Sequence, residues 1–353
     1  MTRGARRGDS RLMRESPSPA LRLTQNGSAR IIARAMGEAR HTVAARSCVV
    51  PGNHDGVHRG HRALIDAAIE YARPHGLRVV ALTFDPHPMY VLAPERAPAR
   101  LTSIARRIEL LRGAGCNEVH VATFDAAFAA QSPEAFADAV LVDALHARAI
   151  VLGPDFRFGA KRAGDLALLE ELGHARDFEV VPIAPLCADG APISSSRIRA
   201  ALGDGDVRAA ATLLGRVHDV DGEVVLGHQR GRTLGFPTAN LGPSAVLLPA
   251  DGVYAVVARV VGDATSGAPA RMLGGVANLG VRPTVGAGRS VEVHLLDFDG
   301  DLYGAQLRVG FVARLREERR FDGLAALTAQ IAQDAAEARV KLASREQELD
   351  RWL

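Results

Sequence analysis

In PGNHDGVHRGHRALI, residues 51–65, three imidazoles and a carboxylate (His54, Asp55, His58 and His61) fall within eight positions. The stretch lies between a short apolar run, Val49–Val50, and a run with helical periodicity. Three readings compete: metal ligation, anion binding at a helix start, and a plain surface turn. Gly52, Gly56 and Gly60 allow a backbone to approach a ligand closely. The free N–H groups at a helix start favour an anion. His58 and His61, three apart, are expected on one helical face. There, two imidazoles can donate to phosphate oxygens. Asp55, His58 and His61 could converge on a metal, but the chain offers only scattered downstream histidines to complete the set.

Further stretches carry chemistry of the same kind. In ISSSRIR, residues 193–199, Ser194, Ser195 and Ser196 suit a helix cap and Arg199 offers a fork for phosphate. TFDPHP (83–88) and GPDFRFG (153–159) each follow an expected strand, and Asp155, Phe156 and Phe158 could hold an aromatic ring and its polar edge. GHQRGRTLGFPTANL, residues 227–241, is a glycine-rich loop suited to phosphate, with Thr238 and Asn240 two apart and so facing one way if extended. SVEVHLLDF (290–298) alternates, with Val291, Val293 and Leu295 on one face and Glu292 and His294 on the other.

The elements that must position these residues change character along the chain. Residues 77–84, 117–124, 147–153 and 178–186 read as buried strands, and 104–115, 132–145 and 166–175 as helices, with Ser132 as an N-cap and Pro133 in the first turn. Strands alternating with helices imply a parallel α/β sheet. After 193–215, short strands punctuated by Gly and Pro take over, implying a small all-β barrel or sandwich. A last helix is expected to be capped by Asp322, with Leu324, Leu327 and Ile331 on its apolar stripe.

Of the formal net charge of +3, residues 1–49 hold ten arginines against three acids, or +7, leaving −4 for the remainder. A mildly acidic globular part argues against a nucleic-acid-binding face. The first 45 residues, rich in Arg, Ser and Pro, read as a disordered basic extension. A mitochondrial presequence and an upstream coding extension before Met36 both fit it. No apolar run approaches the roughly 18 residues of a membrane span, so neither membrane nor nucleic acid is an expected partner. Cys48, Cys116 and Cys187 are widely spaced, which favours a reducing cytoplasm over a disulfide framework. Neither G-x-x-x-x-G-K-[ST] nor G-x-G-x-x-G occurs, so phosphate must be handled by other loops.

The H-x-G-H at 58–61, with Asp55–Gly56, resembles the nucleotidyltransferase superfamily that attacks the α-phosphate of ATP, and ISSSRIR resembles that superfamily's flavin branch. G-H-Q-R-G-R-T-L-G-F-P-T-A-N resembles the riboflavin kinase motif. DGVYA (251–255), GVANLGVRPT (275–284), DLYG (301–304) and LREERRF (315–321) match in order. From about 47 to 340 the chain therefore resembles the bacterial bifunctional riboflavin kinase/FAD synthetase family. The resemblance implies a nucleotidyltransferase-like, Rossmann-like parallel-sheet domain over 46–203 and a riboflavin kinase β-barrel with a C-terminal helix over 214–340. It implies riboflavin, ATP and FMN as substrates, FMN and FAD as products, and Mg²⁺ held by Thr238 and Asn240. Glu292 would be the base toward the flavin 5′-hydroxyl, and His58, His61 and Arg199 would act in adenylyl transfer. Gly52, Asp55, Gly56, Gly60, Asp155, Phe156 and Ser194–Ser196 would bind at the first site, and Gly227, Arg232, Gly235, Pro237, Asn278 and Arg282 at the second. A homo-oligomer stays open.

Two departures stand out. Where the family reads I-G-x-F-D-G, this chain has Pro51 and His54; Ser196 replaces a threonine and keeps the hydroxyl. Pro51 is expected to end its strand early, and His54 puts a polar ring where the family packs an aromatic. The rivals are a kinase whose N-terminal domain binds nucleotide without transferring it, a non-catalytic flavin-binding protein, and a nicotinate- or pantetheine-type adenylyltransferase.

Overall fold

In the computed structural model of the chain, residues 46–227, 235–261, 272–281 and 289–343 are described. The sites expected at Arg232 and Arg282 lie outside these residues. Near the N-terminus, β1 (Ser47–Pro51), β2 (Arg78–Asp85), β3 (Glu118–Thr123), β4 (Ala147–Leu152) and β5 (Glu179–Pro182) form one parallel sheet in the order β3-β2-β1-β4-β5. The order reverses between β1 and β4, and the crevice beyond the carboxyl ends of those two strands is where such sheets bind ligands. Helices cover both faces. α1 (Arg59–His75) turns Ile65, Ala68 and Ala72 inward and ends at Gly76, whose φ of 62° a side chain would oppose. α3 (Ile104–Gly113) follows the short α2 (Pro88–Leu92) and is capped by Ser103.

Beyond β3 lie the one-turn α4 (Ala126–Ala129) and α5 (Pro133–Phe136), which runs on as a π-wound stretch over Ala137–Ala144. Ser132 caps α5 through Ala135 N–H, as its sequence predicts. α6 (Leu166–Arg176) precedes β5. The strand expected over 178–186 is shorter: the chain leaves the sheet after Pro182 and makes a small hairpin of β6 (Cys187–Ala188) and β7 (Ala191–Pro192). α7 (Ser195–Gly203) and α8 (Val207–Leu214) then lead to the second half.

Pro51 does not shorten β1. It pairs with Leu82, and Gly52 N–H donates to Leu82 O at 3.0 Å. Alternation along a parallel strand therefore turns the Pro51 nitrogen toward β4. The β1–β4 register stops at Val49↔Ile150. Proline thus ends the ladder on the reversal side and spares the other.

The second half is a closed antiparallel barrel. Its strands are β8 (His218–Val225), β9 (Ala239–Leu241), β10 (Gly252–Val261), β11 (Leu273–Val281), β12 (Arg289–Leu295) and β13 (Gln306–Arg316), running round as β10-β11-β12-β9-β8-β13. Tyr254, Val256, Ala277, Leu279, Val291, Val293, Val309 and Phe311 fill the interior. α9 (Leu324–Ala343) packs on the outside. Its buried positions are Asp334, Ala338 and Leu342, whereas Leu324 is exposed, so the stripe expected at Leu324 runs further along the helix than its first turn suggests. Asp334 is buried because Arg316 meets it at 2.8 Å.

Charged side chains join α3 to the barrel. Arg106 Nη2 meets Asp219 Oδ2 at 2.6 Å, Arg308 Nη2 meets Glu109 Oε2 at 2.9 Å, and Arg308 Nε meets Asp221 Oδ1 at 2.6 Å. Arg106, Asp219 and Arg308 are buried, a placement that is stable only with both signs present.

Candidate active sites

At the end of β1, His58 is not part of the helix. With φ −75° and ψ 172° it is the N-cap of α1, and its Nδ1 accepts the His61 N–H at 3.3 Å. The expected shared helical face is replaced by a ring stack: the His58 and His61 centroids lie 3.6 Å apart, with 15° between planes. His54 sets its ring edge against His61 at 5.0 Å. Burial pushes His54 and His58 down to about 4, and His61 well below its ordinary value; His54 and Arg216 add to the effect at His58. All three rings are therefore neutral near pH 7. Because the His58 Nδ1 is an acceptor, its proton sits on Nε2, leaving an uncharged donor for an anion. His54 gives its Nε2 proton to the Val50 carbonyl at 3.0 Å, so its Nδ1 is a bare lone pair with no partner among the described residues. A Cβ on Gly52 would stand 3.1 Å from the His54 ring, and one on Gly60 3.1 Å from the His58 ring.

Asp55 is a buried hub. It accepts Leu101 N–H at 3.0 Å and Thr102 N–H at 3.2 Å, and meets Arg199 at 2.5 Å and Arg107 at 3.4 Å. Its carboxylate thus holds the loop and both guanidiniums in place. Arg199 also donates to Ala99 O at 2.7 Å. Ser194 caps α7 through Arg197 N–H, Ser195 Oγ donates to Asp55 O at 2.8 Å, and Ser196 is exposed. The two distant segments, 52–61 and 194–199, therefore meet at one point. After β4, Asp155 is exposed and Phe156 half-buried, while Phe158 stacks with Phe156 and packs with Phe136 in the core. Phe158 is a core residue, not a wall open to a ligand.

Arg107, Asn53 and His87 border the same strand ends; Asn53 and His87 lie in the loop stretches expected there, whereas Arg107 was not expected. Arg107 donates to Phe84 O at 3.3 Å, and Asn53 meets His87 at 3.2 Å. The pattern IARRIEL gives no hint that two adjacent helical arginines turn inward, since arginine usually faces solvent.

In the barrel, Glu292 is paired with Asn240 on β9 and with Asn278 on β11. Directly opposed residues point to the same face, with Cβ atoms about 5 Å apart. Since Val291 and Val293 fill the interior, Asn240, Glu292 and Asn278 form one row on the outer face. A cavity of ≈ 530 Å³ shares Asn240 with the row and is otherwise lined by Gly227, Pro237, Thr238, the inward-facing Val293 and Leu295 and, from the loop after β12, Asp301 and Tyr303. Glu292 is not in that lining. The Asn240 amide is almost wholly buried, and a Cβ on Gly227 would lie 2.3 Å from its Nδ2. Gly235 has φ 83°, which favours glycine. His294 is held by Pro237 O at 2.9 Å.

Residues 41–197 match the FAD synthetase family and residues 214–342 the riboflavin kinase family. The chain is 42% identical over 294 residues to the bifunctional riboflavin kinase/FMN adenylyltransferase of Escherichia coli strain K12, covering 83% of this chain and 92% of that protein. It is 37% identical to the protein of the same name from Bacillus subtilis, covering 83% and 92%. A crystal structure described as a macrolide-efflux protein from Streptococcus pneumoniae superposes with a TM-score of 0.75 at 32% identity, covering 84% of this chain and 95% of that one. Among the described residues no helix is long and apolar enough to cross a membrane. With two family matches falling on the two halves and full-length relatives aligned across both, the chain belongs to the bifunctional riboflavin kinase/FMN adenylyltransferase family, which makes FMN from riboflavin and ATP, and FAD and pyrophosphate from FMN and ATP.

Proposed function

We propose that the two reactions are divided between residues 214–340 and 46–203, in the cytoplasm, and that the side chains described above perform them. In the barrel, Glu292 takes the proton of the flavin 5′-hydroxyl as that oxygen bonds to the γ-phosphorus of ATP and ADP leaves. The observation that supports this is the register that sets Glu292 directly opposite Asn240, which lines the cavity. The Thr238 hydroxyl and Asn240 amide oxygen are hard, neutral donors. They suit Mg²⁺ brought in by ATP, because the nucleotide supplies the negative charge that they lack. Held there, the metal would neutralise charge on the phosphates.

In the α/β half, an FMN phosphate oxygen bonds to the α-phosphorus of ATP and the bond to pyrophosphate breaks. No protein group needs to form a covalent bond. Neutral His58 and His61 donate to developing phosphate charge, and Arg199 and the α1 start add positive potential. Gly52 and Gly60, lacking a Cβ, leave room for the His54 and His58 rings to take these positions.

Chromatography of products separates the assignments. Wild-type protein given riboflavin, ATP and Mg²⁺ should yield FMN and then FAD. Glu292→Gln should yield neither from riboflavin yet still make FAD when given FMN. FMN formation at the wild-type rate by Glu292→Gln would remove the base assignment, and intact kinase turnover without FAD would favour an impaired N-terminal site.

A further inference from the structure

The turn His54–Val57, which leads into the imidazole pair, is pinned at successive peptide groups by different pieces of chain. The Asp55 carbonyl accepts the Ser195 hydroxyl at 2.8 Å. Gly56 N–H donates to Thr102 Oγ1 at 3.3 Å, and Val57 N–H to His54 O at 3.0 Å. The Gly56 carbonyl accepts Arg216 Nη1 at 2.8 Å. Arg216 lies between α8 and β8, in the segment that leads into the barrel.

Arg216 is buried, its Nε has no hydrogen-bond partner among the described residues, and Asp219 Oδ2 stands 3.9 Å from that atom. Burial lowers its guanidinium to about 10, so it remains charged at neutral pH. An incompletely paired buried cation is a costly way to fill space, and an aliphatic side chain would pack there more stably. What the cation does is hold a carbonyl. Gly56 has φ 85°, and a Cβ there would come within 2.9 Å of Leu101 Cδ1. The Gly56–Val57 peptide is thus fixed at both ends, by Arg216 on the oxygen and His54 on the nitrogen. Its tilt sets the path of Val57, itself at φ 39°, into the His58 cap.

We propose that Arg216 is a positioning residue for adenylyl transfer: by holding the Gly56 carbonyl it fixes the turn that presents His58 and His61, so the α/β site takes its working shape from a side chain carried by the barrel's lead-in. The inference rests on the assignment of His58 and His61 to that reaction. The full chain carrying Arg216→Met, Arg216→Lys, Arg106→Met or His61→Ala is assayed for FAD formation at varied ATP and for riboflavin phosphorylation on the same preparations, with thermal unfolding alongside. Arg216→Met should lower kcat for FAD formation about tenfold, as a small displacement of acting groups does, with KM for ATP and kinase turnover unchanged. Arg216→Lys, which keeps a donor, should recover part of the loss. Arg106→Met breaks the Asp219 pair without touching Gly56, so it should lower stability and spare FAD formation. If Arg106→Met slows FAD formation as much as Arg216→Met does, or if Arg216→Met loses both activities together, the role is structural and the proposal fails. A wild-type rate in Arg216→Met with a dead His61→Ala sinks the proposal alone. A wild-type rate in His61→Ala removes the site assignment, and the proposal with it.

Discussion

At the scale of single residues, His54 is a costly choice in the N-terminal site. It is fully buried, and its bare Nδ1 lone pair has no donor among the described residues. Phenylalanine would fill the same space, and the Val50 carbonyl that His54 bonds lies in the β1–β2 register and keeps a ladder donor. His54→Phe should therefore stabilise the protein by about 1 kcal/mol, measured by denaturant unfolding at pH 7. The imidazoles also set a pH dependence. In the folded chain His54 and His58 titrate near 4, whereas an unfolded histidine titrates near 6.5. Between those values the unfolded chain binds more protons. Stability is thus fully present above about pH 6.5 and is lost as pH falls toward 4, at up to about 1.4 kcal/mol per pH unit for each ring. His54→Phe should flatten the slope between pH 7 and 5. An unchanged slope would refute the burial of a neutral His54. The sequence showed three imidazoles beside three glycines, but not which would cap, stack or be buried. That choice depends on the φ of 49° at His54 and on partners contributed by other segments.

At the scale of elements, the caps were the most legible features. Ser132 and Ser194 each accept the N–H three residues on, because a hydroxyl at that position satisfies one of the open donors of the first turn. Ser194→Ala should cost about 1 kcal/mol, read as a shift in the denaturation midpoint, and should lower FAD formation more than FMN formation because α7 carries Arg199. His58 was placed one position too far into its helix, since histidine is an uncommon N-cap and spacing alone could not reveal it. Arg106 and Arg107 were legible only as helix formers. Their inward turn depends on Asp219 and Asp55, which stand 113 and 52 residues away in the chain. The same limit applies to β5, where apolar composition continued past the point at which the sheet ran out of partners.

At the scale of the whole chain, the change from alternating strands and helices to short strands was enough to read two architectures and their order, because it reflects parallel against antiparallel pairing. How α3 meets the barrel was not legible, as ion pairs between distant segments leave no local pattern. Asp219 lies between Arg106 and Arg216, which hold its carboxyl below the usual carboxylate range against the effect of burial. Asp219→Asn would leave buried Arg216 without its nearest carboxylate and Arg106 with Glu109 alone, and should cost about 3 kcal/mol. Calorimetry should show one transition for the wild type and a broadened or split one for the variant as the α/β half and barrel uncouple. A sharp, unshifted transition would show that the ion pairs do not join them. The row Asn240–Glu292–Asn278 has another consequence. In a ring of strands with no free edge, one strand cannot slide without forcing its neighbours to slide as well, so these three side chains keep their alignment even as surrounding loops diverge. The adjacent hollow can therefore change in size through its loops while the Glu292 carboxylate stays at a fixed distance from the two amides.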